Sequence, residues 1–335
     1  MYREAAQAPD IVRAQLARNA AAVERLARDL RAHPPRAVVT CARGSSDHAA
    51  TYAKYLVEVR LGVLTASAAP SIASLYASGG AMRDCLFLAL SQSGRSPDLL
   101  ATTRAAKQAG ARVAVLVNDE DSPLASLADD VLPLCAGAER SVAATKSHVA
   151  TLFGLLHLVG AWSGDRGLRE ALSRCADTLD QSWQLDWSAA LTVLAPAQHL
   201  YVIARGVGLG LAQEAALKCK ETCALHAEAF SAAEVRHGPQ ALLGPGFPAM
   251  LLAQEDEARP GIEELAAELA ARGVPLVVAG ARAAGAVELP TVATHPALAP
   301  LAMAQSFYRL ANALALARGR DPDNPPHLRK VTETR

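Results

Sequence analysis

Short, continuous runs of apolar and β-branched residues alternate with longer helical patterns along this chain, and that alternation constrains the fold more than any other feature. RAVVTCA (36–42) precedes a predicted helix over 46–60. DCLFLALS (84–91) precedes one over 97–109, which ends at Gly110. RVAVLVN (112–118) follows, and DVLPLCA (130–136) precedes a helix over 143–162. Strands that are apolar on both faces and separated by helices belong to a parallel sheet covered on both sides. The pattern restarts after residue 195 with HLYVIARG (199–206) and a helix, then AMLLAQ (249–254), PLVVAG (275–280) and AVELPT (286–291). Ala42-Arg43-Gly44 closes the first strand of one half, and Ala204-Arg205-Gly206 closes the first strand of the other. Each is followed by small residues and an Ala-rich helix, with Lys54 and Lys218 at similar offsets. This is the pattern of a tandem duplication of one α/β domain. The expected organisation is an amphipathic helical segment at 1–33, a first domain at 34–165, a helical linker at 166–190, a second domain at 191–320 and a tail at 321–335.

A chain of 335 residues, half of them apolar, supports two such cores. Lysine and arginine number 33 and are balanced by 33 acidic residues. No basic excess exists to coat nucleic acid, although one local anion site is compatible with this balance. The opening MYREAAQAPDIVRAQ has no apolar core of a secretion signal. The longest apolar run, VATLFGLLHLVGAW (149–162), is too short to cross a bilayer and carries His157, so it reads as a buried helix. The six cysteines, Cys41, Cys85, Cys135, Cys175, Cys219 and Cys223, form no C-x-x-C pair and have no partners at zinc spacing. The expectation is a cytoplasmic protein with buried, reduced thiols, no metal and no membrane association.

LFLALSQSGRSPDLL (86–100) stops an apolar run at Ser91, Ser93 and Ser96, grouped around Gly94. Ligands of parallel α/β sheets bind beyond the C-terminal ends of the strands. Ser96 suits a helix N-cap and Pro97 the first helical position. Hydroxyls, a glycine and a helix N-terminus make an anion site; a merely capped helix after a turn would need only Ser96-Pro97. After AMLLAQ, by contrast, come Glu255, Asp256 and Glu257, which repel phosphate. In the second half EAALKCKETCALHAEAFSAAEVRHGP (214–239) places Glu214, Lys218, Glu221 and Leu225 at helical steps of four, three and four. That stripe suits either a solvated salt-bridged face or a site. His226, Glu228, Glu234 and His237 follow in what reads as a short irregular segment, suited to proton transfer or to ordinary loop polarity.

At these residues the chain resembles the sugar isomerase (SIS) family. It resembles the isomerase half of glucosamine-6-phosphate synthase, and more closely the stand-alone SIS-type glucosamine-6-phosphate deaminases. The motifs that carry the resemblance are ARGSSDHAATYAKYL (42–56), SQSGRSPD (91–98), ERSVAATKS (139–147), ALKCKETCALHAEAFSAAEVRHGP (216–239) and NPPHLRKVTE (324–333). The resemblance implies two tandem SIS domains, each a parallel sheet flanked by helices in flavodoxin-like layers. It implies that Gly44, Ser45, Ser46, Ser91, Gln92, Ser93 and Ser96 hold a sugar phosphate and that the backbone near Val142 lines the sugar. By the same resemblance Glu221 is the base that moves a proton between C1 and C2, and Lys218 keeps a carboxylate ionised and contacts substrate. His237 opens the sugar ring, Lys330 of the tail reaches into the site, and a homodimer shares one active site between subunits. The implied reaction, glucosamine 6-phosphate and water to fructose 6-phosphate and ammonia, calls for no cofactor.

Two departures from the family pattern stand out. Ala144 replaces a serine of the synthase, and no glutaminase domain precedes the SIS halves. Glutamine-dependent synthesis by this chain alone is therefore not expected. Action on galactosamine 6-phosphate or fructosamine 6-phosphate, an ammonia-dependent isomerase, and a non-catalytic sugar-phosphate sensor are the competing readings.

Overall fold

The computed structural model describes residues 1–330. Of the predicted tail and the NPPHLRKVTE motif, residues 331 onward lie outside the described residues. Two five-stranded sheets carry the architecture. The first is built from β1 (Ala37–Cys41), β2 (Thr65–Ser67), β3 (Cys85–Ser91), β4 (Arg112–Val117) and β5 (Asp130–Pro133), in the order β2-β1-β3-β4-β5. The second comprises β6 (His199–Ala204), β7 (His226–Ser231), β8 (Ala249–Leu252), β9 (Leu276–Ala279) and β10 (Val287–Leu289), in the order β10-β9-β8-β6-β7. Every pairing is parallel. Read from the other edge, the second order repeats the first strand for strand, which bears out the duplication. The 2-1-3-4-5 order is the flavodoxin-like winding, whose chain reverses direction between strands 1 and 3.

The central strands form where the apolar runs predicted them, because all seven residues of β3 and nearly all of β1 and β4 are buried on both faces. Each domain has its own core. Val39, Phe87, Leu99, Val113, Val115 and Leu124 pack in the first; Ile203, Leu251, Ile262, Leu265, Leu276 and Val278 pack in the second. The run at 149–162 lies in a helix, Lys146–Ser163, in which every residue from Lys146 to Trp162 is buried. Five cysteines are buried and Cys135 is half-buried, all as free thiols. No helix among the described residues is long and apolar enough to cross a membrane.

Several local expectations are corrected. The segment 1–33 is two helices, Tyr2–Ala5 and Ala8–Ala32, interrupted at Ala6-Gln7. His226 and Glu228 do not lie in an irregular segment: they are exposed positions of edge strand β7, alternating with buried Ala227. Leu225 is not on the helix of Glu214, Lys218 and Glu221. That helix, Leu209–Cys223, stops at Ala224 in a left-handed conformation (φ 48°), and Leu225 is buried beyond it.

The described residues form two compact units, neither of which is one continuous stretch. The first holds residues 10–139 and 146–173 with Arg329 and Lys330. The second holds residues 1–9, 140–145 and 174–328.

Candidate functional site

In the first unit the predicted phosphate residues gather at the chain reversal. β1 and β3 are neighbours whose C-terminal ends open the crevice of a doubly wound sheet. From β1 the chain passes through Gly44 at φ 54°, a left-handed conformation that a side chain would disfavour, and enters the helix Ser45–Leu61. Ser45 and Ser46 are half-buried in its first turn. His148, itself 2% exposed, fixes that turn: its Nδ1 lies 2.9 Å from the Ser45 carbonyl oxygen and must donate to it.

From β3 the chain passes through Ser91-Gln92-Ser93-Gly94 into the helix Pro97–Gln108. The serines divide their work differently from the sequence expectation. Ser96 takes the N-cap position, yet its hydroxyl makes no capping bond. Ser91 is buried, and its Oγ accepts the Gly94 N–H at 2.9 Å. Ser93 Oγ accepts the Arg95 N–H at a longer 3.4 Å. Ser46, Gln92 and Ser96 carry no side-chain hydrogen bond among the described residues. Gly94 is obligatory at φ 65°, because a Cβ there would sit 2.2 Å from Ser122 Oγ.

Two arginines flank this loop. Arg43, in the turn after β1, donates through Nε (2.9 Å) and Nη2 (2.7 Å) to Asp98 Oδ2 in the first turn of the helix after β3. Asp98 is 1% exposed and also accepts the Leu99 N–H at 2.8 Å. The pair therefore ties the two sides of the crevice together. Arg95 pairs with Asp119 at 2.7 Å and holds that carboxyl below the usual carboxylate range. Cys41, at the end of β1, is no nucleophile: burial, and then Asp98, push its thiol up to about 12. In the same unit Lys330 reaches the buried Glu139, with Nζ 2.8 Å from Oε2. Glu139 also accepts Ser147 Oγ at 2.7 Å and the Ser147 N–H at 3.2 Å, a carboxylate set at a helix N-terminus.

In the second unit the stripe Glu214–Lys218–Glu221 is not a solvated face. Glu214 and Lys218 are fully buried, and Glu221 is 21% exposed. Lys218 Nζ donates a short hydrogen bond to Glu221 Oε2 and stands 3.5 Å from Glu214 Oε1. Buried charges persist when paired, and here one ammonium serves two carboxylates. Tyr308, on the helix Ala299–Ala317, donates to Glu214 Oε1 at 3.1 Å. Glu221 is thus the one carboxylate of the group with access to solvent. His237 is exposed at the end of a short turn, Glu234–His237, and Gly238 follows at φ 134°. Val142 is half-buried, and its N–H is occupied by the Asp323 carbonyl at 3.2 Å. His226 lies against His199, Nδ1 to Nδ1 at 3.3 Å, and Glu228 and Glu234 are exposed. A cavity of about 210 Å³ beyond β8 and β9, lined by Trp187, Gln254, Thr291 and Met303, touches none of the predicted site residues.

Sequence reasoning did not single out Arg43, Asp98, Glu139, His148 and Tyr308, whose side chains contact the candidate residues or the turns that carry them. Asp98 gave a signal, an acid in the first turn of a helix beside the serine loop. Tyr308 gave none, being one aromatic in an apolar helix.

The comparisons agree with this frame. The SIS domain model matches residues 33–159 and 193–281. Glutamine–fructose-6-phosphate aminotransferase (isomerizing) from Aeropyrum pernix is 34% identical over 308 residues, 86% of this chain, and the enzyme of that name from Symbiobacterium thermophilum is 34% identical over 329 residues. The chain spans about half the length of these relatives, 49% and 52%. Among solved structures, a protein from Silicibacter pomeroyi DSS-3 assigned provisionally to the phosphosugar isomerases is 41% identical. It superposes with a TM-score of 0.92 over 96% of this chain and 99% of its own. Glucosamine-6-phosphate deaminase from Thermotoga maritima shares the fold, with a TM-score of 0.74, 24% identity and coverage of 98% and 100%. With two copies of the matching sheet, the crevice at the chain reversal and these relatives, the chain belongs to the SIS domain family.

Proposed function

We propose that this chain is a phosphosugar isomerase that deaminates glucosamine 6-phosphate, giving fructose 6-phosphate and ammonia. The observation that carries the reading is Glu221, a carboxylate held by a buried ammonium and open to solvent on one side. Such a group, oriented by its partner and reachable from one side, is suited to act as a general base. The substrate phosphate is assigned to the first domain, to Ser45, Ser46, Ser91, Gln92, Ser93 and Ser96, with Gly44 giving close backbone approach. Val142 and Lys330 are assigned to the sugar. His237 assists opening to the aldehyde, and Glu221 removes the C2 proton, acidified by the adjacent carbonyl. Protonation of the resulting enolamine at C1 leaves an imine at C2, which water hydrolyses to the ketone and ammonia. A positioned base contributes about 10²–10⁴-fold to such a step.

The reverse direction, amination of fructose 6-phosphate by free ammonia, is the second reading. It is favoured by the names of the 34%-identical relatives. A homodimer whose subunits share the site is part of the proposal: inactive His237→Ala and Glu221→Gln chains, mixed, should restore activity. Ammonia release measured over glucosamine, glucosamine 6-phosphate, galactosamine 6-phosphate and fructosamine 6-phosphate tests the reaction. Release from glucosamine 6-phosphate, with none from glucosamine, is expected. Release from fructosamine 6-phosphate alone, or from no compound in either direction, would overturn it.

A further inference from the structure

His199 and His226 take no part in the chemistry assigned above. They are 27 positions apart, and the parallel pairing of β6 with β7 makes them register partners on its first rung, at the ends of the strands opposite the crevice. Both residues are exposed, and their Nδ1 atoms stand 3.3 Å apart. The two rings meet edge to face at 90°, with centroids 5.6 Å apart. Phe247 backs the His199 ring, stacked within 16° at 5.5 Å, and itself packs against Tyr201 at 4.7 Å. The protein therefore orients the His199 ring before any ligand arrives.

The distance discriminates between two ways of joining these rings. A hydrogen bond needs one Nδ1–H donor and one Nδ1 acceptor, and 3.3 Å is long for such a bond. A zinc ion lies about 2.0–2.1 Å from each histidine nitrogen, and a tetrahedral angle then sets the two nitrogens about 3.3–3.4 Å apart. An angle near 90°, as in square-planar or octahedral coordination, would bring them to about 3 Å at the same bond length. The separation in the structure is the tetrahedral one. We propose that His199 and His226 form a two-histidine site for Zn²⁺ that staples edge strand β7 to β6.

The donor set selects the ion. Imidazole nitrogens suit zinc, whereas Mg²⁺ and Ca²⁺ take oxygen ligands. Among the described residues no third His, Cys, Asp or Glu completes a cluster. Water therefore fills the remaining positions, and the ion is held reversibly rather than locked in a closed four-ligand site. One rung along the same face, roughly 6.6 Å away by strand rise, Glu228 stands in register with Tyr201 and supplies a carboxylate that favours a cation nearby. An edge strand has a neighbour on one side only, so a second tie to β6 limits its opening. β7 begins just past the helix of Lys218 and Glu221, yet the zinc site is independent of the reaction proposed for them.

The test titrates the metal alone into the full chain. Calorimetry with zinc chloride at neutral pH, in a buffer that does not chelate, should show saturable binding of one zinc ion per chain, and magnesium chloride should show none. His199→Ala and His226→Ala, both at exposed positions, should each weaken zinc binding about tenfold or more and leave the far-UV circular dichroism unchanged. X-ray absorption at the zinc edge should find two histidine nitrogens at about 2.0–2.1 Å. Hydrogen exchange of the β7 amides should slow on zinc addition in the wild type and stay unchanged in His226→Ala. No saturable zinc binding, zinc binding equally tight in both variants, magnesium bound as well as zinc, or β7 exchange that zinc does not slow would overturn the proposal. None of these readouts needs turnover, so the outcome stands whatever the ammonia-release assay finds.

Discussion

The two domains share a chain reversal and furnish it with opposite chemistry. In each, Ala-Arg-Gly carries the chain out of the first strand, and the glycine turns through a left-handed conformation, φ 54° at Gly44 and 61° at Gly206. In the first domain the neighbouring strand end supplies serines. In the second it supplies Gln254, whose Nε2 donates to the Arg205 carbonyl at 2.8 Å and to Asp256 Oδ2 at 2.9 Å. Glu255 follows, exposed. One crevice is lined by serine hydroxyls; the other is bridged by an amide and rimmed by carboxylates. The helices that follow diverge as well: Lys54 of the first is exposed, whereas Lys218 of the second is fully buried between carboxylates. The duplicated backbone frame is kept, and the side chains around it differ.

The largest expected contrast lies between those lysines. Lys218→Met leaves Glu214 and Glu221 without their shared counter-charge, and removing one partner of a buried charge pair costs about 3–5 kcal/mol. Lys54→Met, at the exposed position, should change stability by no more than about 0.5 kcal/mol. Urea unfolding of both variants measures the difference. Equal, small effects would mean that the second cluster is not a buried ionic unit.

The glycines sharpen the comparison. Gly94→Ala drives a Cβ into Ser122 from a left-handed backbone and should cost about 2–4 kcal/mol. Gly206→Ala pays for the backbone alone, about 1–2 kcal/mol, since its Cβ would meet nothing nearer than Gln254 Nε2 at 3.6 Å. Thermal unfolding of the pair should rank them in that order.

A smaller contrast separates the helices that follow each sheet's fifth strand. The first domain's buries His157, and desolvation, opposed by Glu24, lowers its pKa to about 4. The unfolded chain takes up this proton near pH 6.5 and the folded chain only near 4. The stability from keeping His157 neutral is therefore complete above 6.5 and declines as pH falls through that window. Between pH 7.5 and 5 the loss should be about 2 kcal/mol. His157→Leu should remove that part of the pH dependence of the urea midpoint, and an unchanged slope would refute the assignment.

The same comparison shows what the sequence could reveal. Central strands announced themselves because burial on both faces forces continuous apolar runs. The two strands that escaped notice, β2 and β7, occupy the same edge of the two sheets, each beside the first strand. β2 has three residues, and β7 alternates exposed His226 and Glu228 with a buried alanine. Edge strands bury little, so composition marks them weakly. In the site, hydroxyls grouped at a strand end and charges at helical spacing were legible because their spacing is local. Arg43 with Asp98, His148 with the Ser45 carbonyl, and Tyr308 with Glu214 join residues 55 to 103 positions apart. Only the fold brings them together.

The proposed division of labour is tested most directly by steady-state kinetics of Ser93→Ala and Glu221→Gln on glucosamine 6-phosphate, side by side. Loss of a hydrogen bond to a charged phosphate should raise KM about tenfold in Ser93→Ala, with kcat near wild type. Loss of the base should lower kcat by a factor on the order of 10² or more in Glu221→Gln, with KM near wild type and exchange of the C2 hydrogen with solvent deuterium abolished. An unchanged KM in Ser93→Ala, or nearly full turnover in Glu221→Gln, would contradict the assignment of the anion to one domain and the proton to the other.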